Sequence, residues 1–396
     1  MALWHRCWVA SGQRNLSVAV PRALFALLRP ASLPAFQWHD GHWKIPELEN
    51  LVVYEMHVEE FNSTFQGVVD QLPYLKSLGV TCLELMPVTS LKLDFDWGYG
   101  PLHFLAPNDR WGGPAGLKHL VDGCHSQGVA VILDVVFQHV DTTFPYYQVY
   151  IDAGVPSPMI GGLGPFGPVV DYGQQFARDY VHTVTSYLLD EYHVDGFRYD
   201  EVTDLYDGPF LTGNQQNPYN PLADRSRWYK IQPFIIAQYT ASGIPMLWQG
   251  QEFSENYVLA GDGTLRIGFR RDAHWEYFYD PDGSPLIRLH RILGKLRADH
   301  PALRGRDSFY YNQTSHTSSG IIGYRRSAGN DLALVFLNFS DTPQTMTIPF
   351  PSTATFREQI DAADRPAPLD LSGAATGDPM TVTVPANYGY VFTPIP

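Results

Sequence analysis

Four apolar runs recur along the chain: LVVYEMHV from Leu51, VTCLELMPV from Val80, VAVILDVVFQHV from Val129 and VDGFRYD from Val194. Runs this continuously apolar suit strands buried on both faces, which means a parallel sheet covered by helices. The stretches between them carry helix punctuation. FQGVVDQLPYLKSLG closes at Gly79, and GPAGLKHLVDGCHSQG opens near Pro114 and closes at Gly128. GQQFARDYVHTVTSYLLDEYH reads as a longer helix. Polar residues gather where the strands end: His57, then Asp134 with His139, then Arg198 with Asp200. In a β/α barrel that end of the strands is the catalytic rim. Arg198 and Asp200 are two residues apart, so a strand projects both from the same face.

Two insertions interrupt this rhythm, Thr89 to Gly113 and Asp141 to Tyr172. Long loops at such a rim build substrate sites. GGLGPFG, in the second, matches a dinucleotide-binding fingerprint letter by letter. It follows no strand and opens no helix, so that reading is rejected. Further on, RWYKIQPFIIAQYTAS reads as a helix, GIPMLWQGQEF as a strand and loop, and PLIRLHRILGKLRADH as an amphipathic helix. After about Gly305 short alternating segments such as LALVFLNFS and MTVTVPANYGYVF predict an antiparallel β-domain. The expected division is an extension or linker over 1–45, a β/α domain over 46–304 and an all-β domain over 305–396.

The net charge of −14 argues against a nucleic-acid partner. No apolar run approaches the ~18 residues of a membrane span, so no membrane partner is expected. The aromatic content, 9 Trp and 23 Tyr, suits stacking on sugar rings, although core packing accounts for most of it. Cys7, Cys82 and Cys124 make no disulfide framework, and buried free thiols point to a reducing, cytoplasmic setting. Positions 1–39 hold four arginines and no acidic residue, as in a linker, the remnant of an upstream module or a transit peptide.

DVVFQHV and GFRYDEV resemble the strand-3 and strand-4 motifs of the α-amylase family, glycoside hydrolase family 13. WGYGPLHF is similar to its strand-2 loop. GIPMLWQGQEFSENY resembles its strand-8 region, in the style of its branching-enzyme and trehalose-releasing members. The resemblance runs from about Leu51 to the end. It implies a (β/α)8-type TIM barrel followed by a C-terminal antiparallel β-sandwich. It implies retaining chemistry on an α-glucan or maltooligosaccharide, with no cofactor. Asp200 would be the nucleophile, and Arg198 would hold it ionised and oriented. His139 would donate a hydrogen bond to the sugar, Tyr99 and Trp97 would contact it, and Asp134 would orient the rim. Calcium-binding members carry Asn just before the strand-3 His; here Gln138 stands there, so no metal is expected.

The same resemblance exposes a gap. A retaining glycosidase needs a second carboxyl as acid and base. The family takes it from a Glu after strand 5, and a His-Asp pair from strand 7. Only the loop-like stretch 201–226 lies between Asp200 and the next helix, whereas one βαβ unit needs roughly 30 residues. The barrel is therefore expected to lack strands 5 to 7. Glu201 should point away from the site, and Glu252 is the one carboxylate placed near the rim from sequence. The alternative is a catalytically inactive truncated homologue that binds carbohydrate.

Overall fold

A computed structural model describes residues 36–200, 225–255, 268, 270–311, 316, 318–361, 367–373 and 375–395. Most of the expected N-terminal extension, Cys7, Glu201 and the stretch 201–224 lie outside the described residues.

The first half builds a parallel sheet from β1 (Val53–Met56), β2 (Cys82–Leu85), β3 (Ala130–Val135), β6 (Gly196–Tyr199) and β7 (Met246–Trp248). Its order is β6-β3-β2-β1-β7. Between β3 and β6 the chain makes an antiparallel hairpin, β4 (Ile160–Leu163) with β5 (Pro168–Val170). Among the described residues β6 and β7 are the two edges of the sheet and do not pair with each other. This is the arrangement expected of a barrel short of strands between its fourth and its eighth.

Strand alternation sorts the side chains into two layers. Tyr54, Met56, Leu83, Leu85, Val131, Leu133 and Val135 join the main core, packed against helices. Leu51, Val53, Cys82, Ala130 and Ile132 form a separate inner cluster, joined by Trp43, Ile244 and Met246. Cys82 and Cys124 are buried free thiols. Among the described residues no helix is long and apolar enough to cross a membrane.

The helix expected over FQGVVDQLPYLKSLG is in fact two, Phe65–Asp70 and Leu72–Ser77, joined at Gln71. Pro73 lies in the first turn of the second, where its missing N–H costs no helical hydrogen bond. The helix Gly283–Asp299 covers the sheet through a tight crossing. A Cβ on Gly294 would lie 2.2 Å from the Leu78 carbonyl oxygen, and Gly79, at φ +84°, takes a backbone shape that favours glycine.

Residues 36–45, expected to belong to a linker, pack against the described fold. Trp38 stacks on His193 at 3.8 Å and Trp43 on His125 at 4.4 Å. Asp40 accepts from His193 at 2.7 Å, and Trp43 donates to Asp195 at 2.7 Å. Composition, not packing, had set these residues apart.

The C-terminal region is all β. β8 (Asp307–Tyr310), β9 (Ile321–Ala328), β10 (Asp331–Asn338), β12 (Phe356–Glu358), β13 (Asp370–Leu371) and β15 (Tyr388–Pro394) form a six-stranded sheet. It packs on the pair β11 (Gln344–Pro349) and β14 (Pro379–Val384) through Phe336, Met346, Ile348, Val382 and Phe392. Its other face, through Val335, Leu337 and Val391, shares the main core with Ile235 and Tyr239 of the helix Gln232–Thr240.

Gly294→Ala should destabilise the protein by about 1–3 kcal/mol, because the helix crossing has no room for a methyl group. Urea denaturation monitored by tryptophan fluorescence checks this; an unchanged midpoint would show that the crossing relaxes freely.

Candidate active site

The inner face of the sheet changes character along the strands. Near the strand starts it is apolar; near the C-terminal ends it carries Glu55, Glu84, Asp134 and Arg198. Glu55 is in register with Glu84 on one side and Trp248 on the other. Asp134 is in register with Arg198. Neighbouring strands run about 4.8 Å apart, so β1 and β3 are separated by two such steps. Yet carboxylate oxygens of Glu55, Glu84 and Asp134 all lie within 4.8 Å of one another. The sheet is therefore concave on this face and draws its inward side chains together.

Arg198 organises this basin. Its Nη1 donates to both oxygens of Asp134, at 3.0 and 2.9 Å, and to Oδ1 of Asp200 at 2.6 Å. Asp200 stands one residue beyond β6, and its backbone N–H bonds the Val135 carbonyl at 3.0 Å, which carries the strand pairing up to Asp200. The Tyr99 hydroxyl donates to Asp134 Oδ2 at 2.8 Å. Asp134 is buried, while the side chains of Arg198 and Asp200 stay partly open, at 34% and 27%. Charge-assisted hydrogen bonds of this kind are short and directional.

The carboxyls answer to burial first. Desolvation pushes Asp134 up to about 6, with Arg198 pulling the other way. Glu55 is pushed up to about 7 by burial, against Arg198 and helped by the charges of Asp134 and Asp200. Glu84 reaches about 8 through burial and the nearby Glu55 and Asp134. Neither Glu84 oxygen has a hydrogen-bond partner. Among the described residues, these three are the carboxylates spaced as a metal ion would need. The positive charge beside them, however, is the Arg198 guanidinium, and the basin needs no ion to explain it.

The residues predicted from sequence are brought together unequally. Asp200, Arg198, Asp134 and Tyr99 form one connected cluster. His139 adjoins it, with Nε2 2.8 Å from the Tyr99 carbonyl oxygen and Nδ1 2.8 Å from Gln138 Oε1. In this arrangement its Nε2 faces backbone, not the open basin. Trp97 is a buried wall; its Nε1 donates to Glu60 at 3.4 Å and its ring lies 6.2 Å from Trp248. His57 is buried away from the basin and caps the helix Val58–Asn62, and burial lowers it to about 3.

Glu252 does not reach the rim. Its Oε1 accepts from Tyr54 at 2.8 Å and from Tyr74 at 2.7 Å, and the side chain is fully buried. Tyr54 points to the helix-covered face of β1, opposite to Glu55, so the proposed use of Glu252 as acid is corrected. A short helical turn at Gln251–Phe253 folds it back into the core.

Sequence reasoning missed Glu55, Glu84 and Phe166. The first two were legible as acidic residues inside apolar strands, YEM and LEL, on the face opposite Tyr54 and Leu83. Phe166, at the tip of the β4–β5 hairpin, lies 5.7 Å from the His139 ring and is 64% exposed. Nothing local marks it; the β-bridge of Val169 to His139 brings the hairpin there.

Residues 50–157 match the signature of the α-amylase catalytic domain. The chain is 38% identical over 176 residues to a malto-oligosyltrehalose trehalohydrolase of Saccharolobus solfataricus, a match covering 44% of this chain and 31% of that protein. It is 33% identical over 285 residues to a 1,4-α-glucan branching enzyme of Picrophilus torridus, covering 65% of this chain and 38% of that protein. It thus spans about a third of the length of these relatives. Among solved structures, an α-amylase of Anoxybacillus shares the fold with a TM-score of 0.67 and 15% identity, over 89% of this chain and 99% of that one. A Salmonella typhimurium protein described as an α-amylase aligns with a TM-score of 0.67 and 18% identity, over 93% of this chain and 85% of that one.

Tyr99→Phe removes a hydrogen bond that favours ionised Asp134, so the Asp134 carboxyl should titrate above about 6. Carboxyl-carbon NMR of the labelled protein measures this; a lower value would break the assignment.

Proposed function

We propose that this chain, whose residues 50–157 match the α-amylase catalytic domain, is an α-glucan-active enzyme of the α-amylase family working by retaining double displacement. The substrate is an α-1,4- or α-1,6-linked glucan or maltooligosaccharide, and Asp200 is the nucleophile. One observation carries the reading: a single guanidinium nitrogen of Arg198 bridges Asp134 and Asp200 where the parallel strands end.

Each residue has a physical part in it. Arg198 aligns Asp200 and offsets its charge, so that one Asp200 oxygen can attack the anomeric carbon. Asp134 and Tyr99 hold Arg198 from beneath, which keeps the guanidinium from following its partner into solvent. His139 and Tyr99 border the sugar. Trp97 sits behind them, and its contact with Trp248 stiffens the wall. Gln138 positions the His139 ring, and the reading invokes neither metal nor cofactor. The buried thiols support a cytoplasmic setting.

A second reading, a carbohydrate-binding homologue without turnover, is favoured by one observation: Glu252, the acid sought near the rim, is sealed behind β1. The two readings part at the nucleophile. A glycosyl donor with a fluoride leaving group needs no acid assistance. A 5-fluoro-α-glucosyl fluoride should therefore add one glycosyl unit to the protein, located on Asp200 by peptide mass spectrometry. Asp200→Asn should abolish the adduct with little change in stability, since it alters charge and not volume. An unlabelled wild-type protein would sink the nucleophile assignment and leave the binding reading.

A further inference from the structure

We propose that Glu55 is the acid/base partner of Asp200. The inference rests on the retaining reading above. The geometry makes the selection. A proton donor must share the basin with Asp200, touch the substrate and hold a proton. Asp134 is excluded, because both of its oxygens are engaged by Arg198 and one also by Tyr99. Glu84 is excluded as a donor to substrate, because it has no exposed surface. Glu252 lies on the other face of β1. Among the described carboxylates of the basin Glu55 remains: it is half-buried, faces inward and lies in the carboxylate group that includes Asp134.

Its position also suits the task. β1 is separated from β6 by β2 and β3, and the concave sheet turns its inner face towards Asp200. A sugar resting in the basin meets Asp200 and, beside the Asp134–Arg198 pair, Glu55. Glu55 meets Glu84 from β2, Asp134 from β3, and Arg198 and Asp200 from β6; β7 offers the uncharged Trp248 in register. Burial is the largest influence on it; Arg198 comes next and pulls the other way, followed by Asp134 and Asp200, which raise it. Its carboxyl, pushed up to about 7, is then present in both forms near neutral pH, as a group that must give and then take a proton requires.

In the first step an Asp200 oxygen bonds to the anomeric carbon. The bond to the leaving oxygen breaks with its electron pair, and that oxygen takes the Glu55 proton. In the second, Glu55 takes a proton from water, whose oxygen bonds to the anomeric carbon as Asp200 departs. The protein ends as it began, and one water is consumed. With a sugar hydroxyl in place of water, the same step is transfer.

The test compares donors whose leaving groups differ, in wild type, Glu55→Gln and Glu55→Ala. Wild type should act on maltoheptaose, and its kcat/KM should fall as pH rises through about 7, where Glu55 loses its proton. Glu55→Gln should lower turnover of maltoheptaose by about 10²–10⁴-fold. It should leave kcat/KM for dinitrophenyl α-maltoside and the rate of fluoride-donor labelling of Asp200 within a few-fold, and abolish the alkaline fall. In Glu55→Ala, azide should restore turnover of the dinitrophenyl donor and give an α-glycosyl azide. Adduct formation also reports that each variant is folded. Equal losses on every donor, an unchanged rate on maltoheptaose, or a wild type that labels at Asp200 yet does not act on maltoheptaose would each overturn the proposal. The last two would leave Asp200 as the nucleophile, whereas a wild type that does not label would overturn both assignments.

Discussion

One guanidinium holds two carboxylates at the end of a parallel sheet, and the site depends on that. Asp134 and Asp200 come from different strands, and side by side they would repel. Arg198, between them, turns the repulsion into a fixed geometry. It can do so because β3 and β6 pair in parallel register, with Asp134 opposite Arg198. A slip of one residue would turn Arg198 to the helix-covered face and leave the carboxylates without their cation. The buried charge is tolerated because each member is hydrogen-bonded, and removing the buried member, Asp134, from such a set is costly.

The basin is acidic beyond what one arginine offsets. Glu55 and Glu84 stand beside the Arg198 bridge, and burial keeps them protonated to higher pH than ordinary carboxyls. That reconciles four carboxyl groups with a single cation. The open side of the sheet matters here too. Between the β6 and β7 edges the inner face is not closed by pairing among the described residues, and Arg198, Asp200 and Glu55 keep part of their surface open.

Hydrogen bonds from residues far apart in the chain support this rim. Glu60 accepts from Trp97, from Gln249 and from the Arg271 backbone. The strand-2 loop, the strand-8 region and the segment after it are thereby tied to the helix Val58–Asn62. Glu252 does similar work deeper in the core, between Tyr54 and Tyr74. A carboxyl that the sequence places near the chemistry thus serves to hold β7 against β1.

The sequence by itself determined the strands, their parallel pairing and the strand-end residues Asp134, Arg198 and Asp200, because strand periodicity sets the face of each side chain once the strand is located; Tyr99, in a loop, entered only through the family resemblance. It also determined that too little chain follows Asp200 for three further β/α units. The tertiary structure alone decided the rest. Glu252 was misplaced because a single helical turn after β7 reverses its direction, and no pattern in QGQEF records that. Glu55 and Glu84 passed unnoticed because an acidic residue within an apolar strand means little until curvature shows what it faces. Phe166 meets His139 through a hairpin that returns across 27 residues of chain. Direction along a strand is a local property, legible from spacing; which side chains converge depends on sheet curvature and loop return, which are properties of the packed whole.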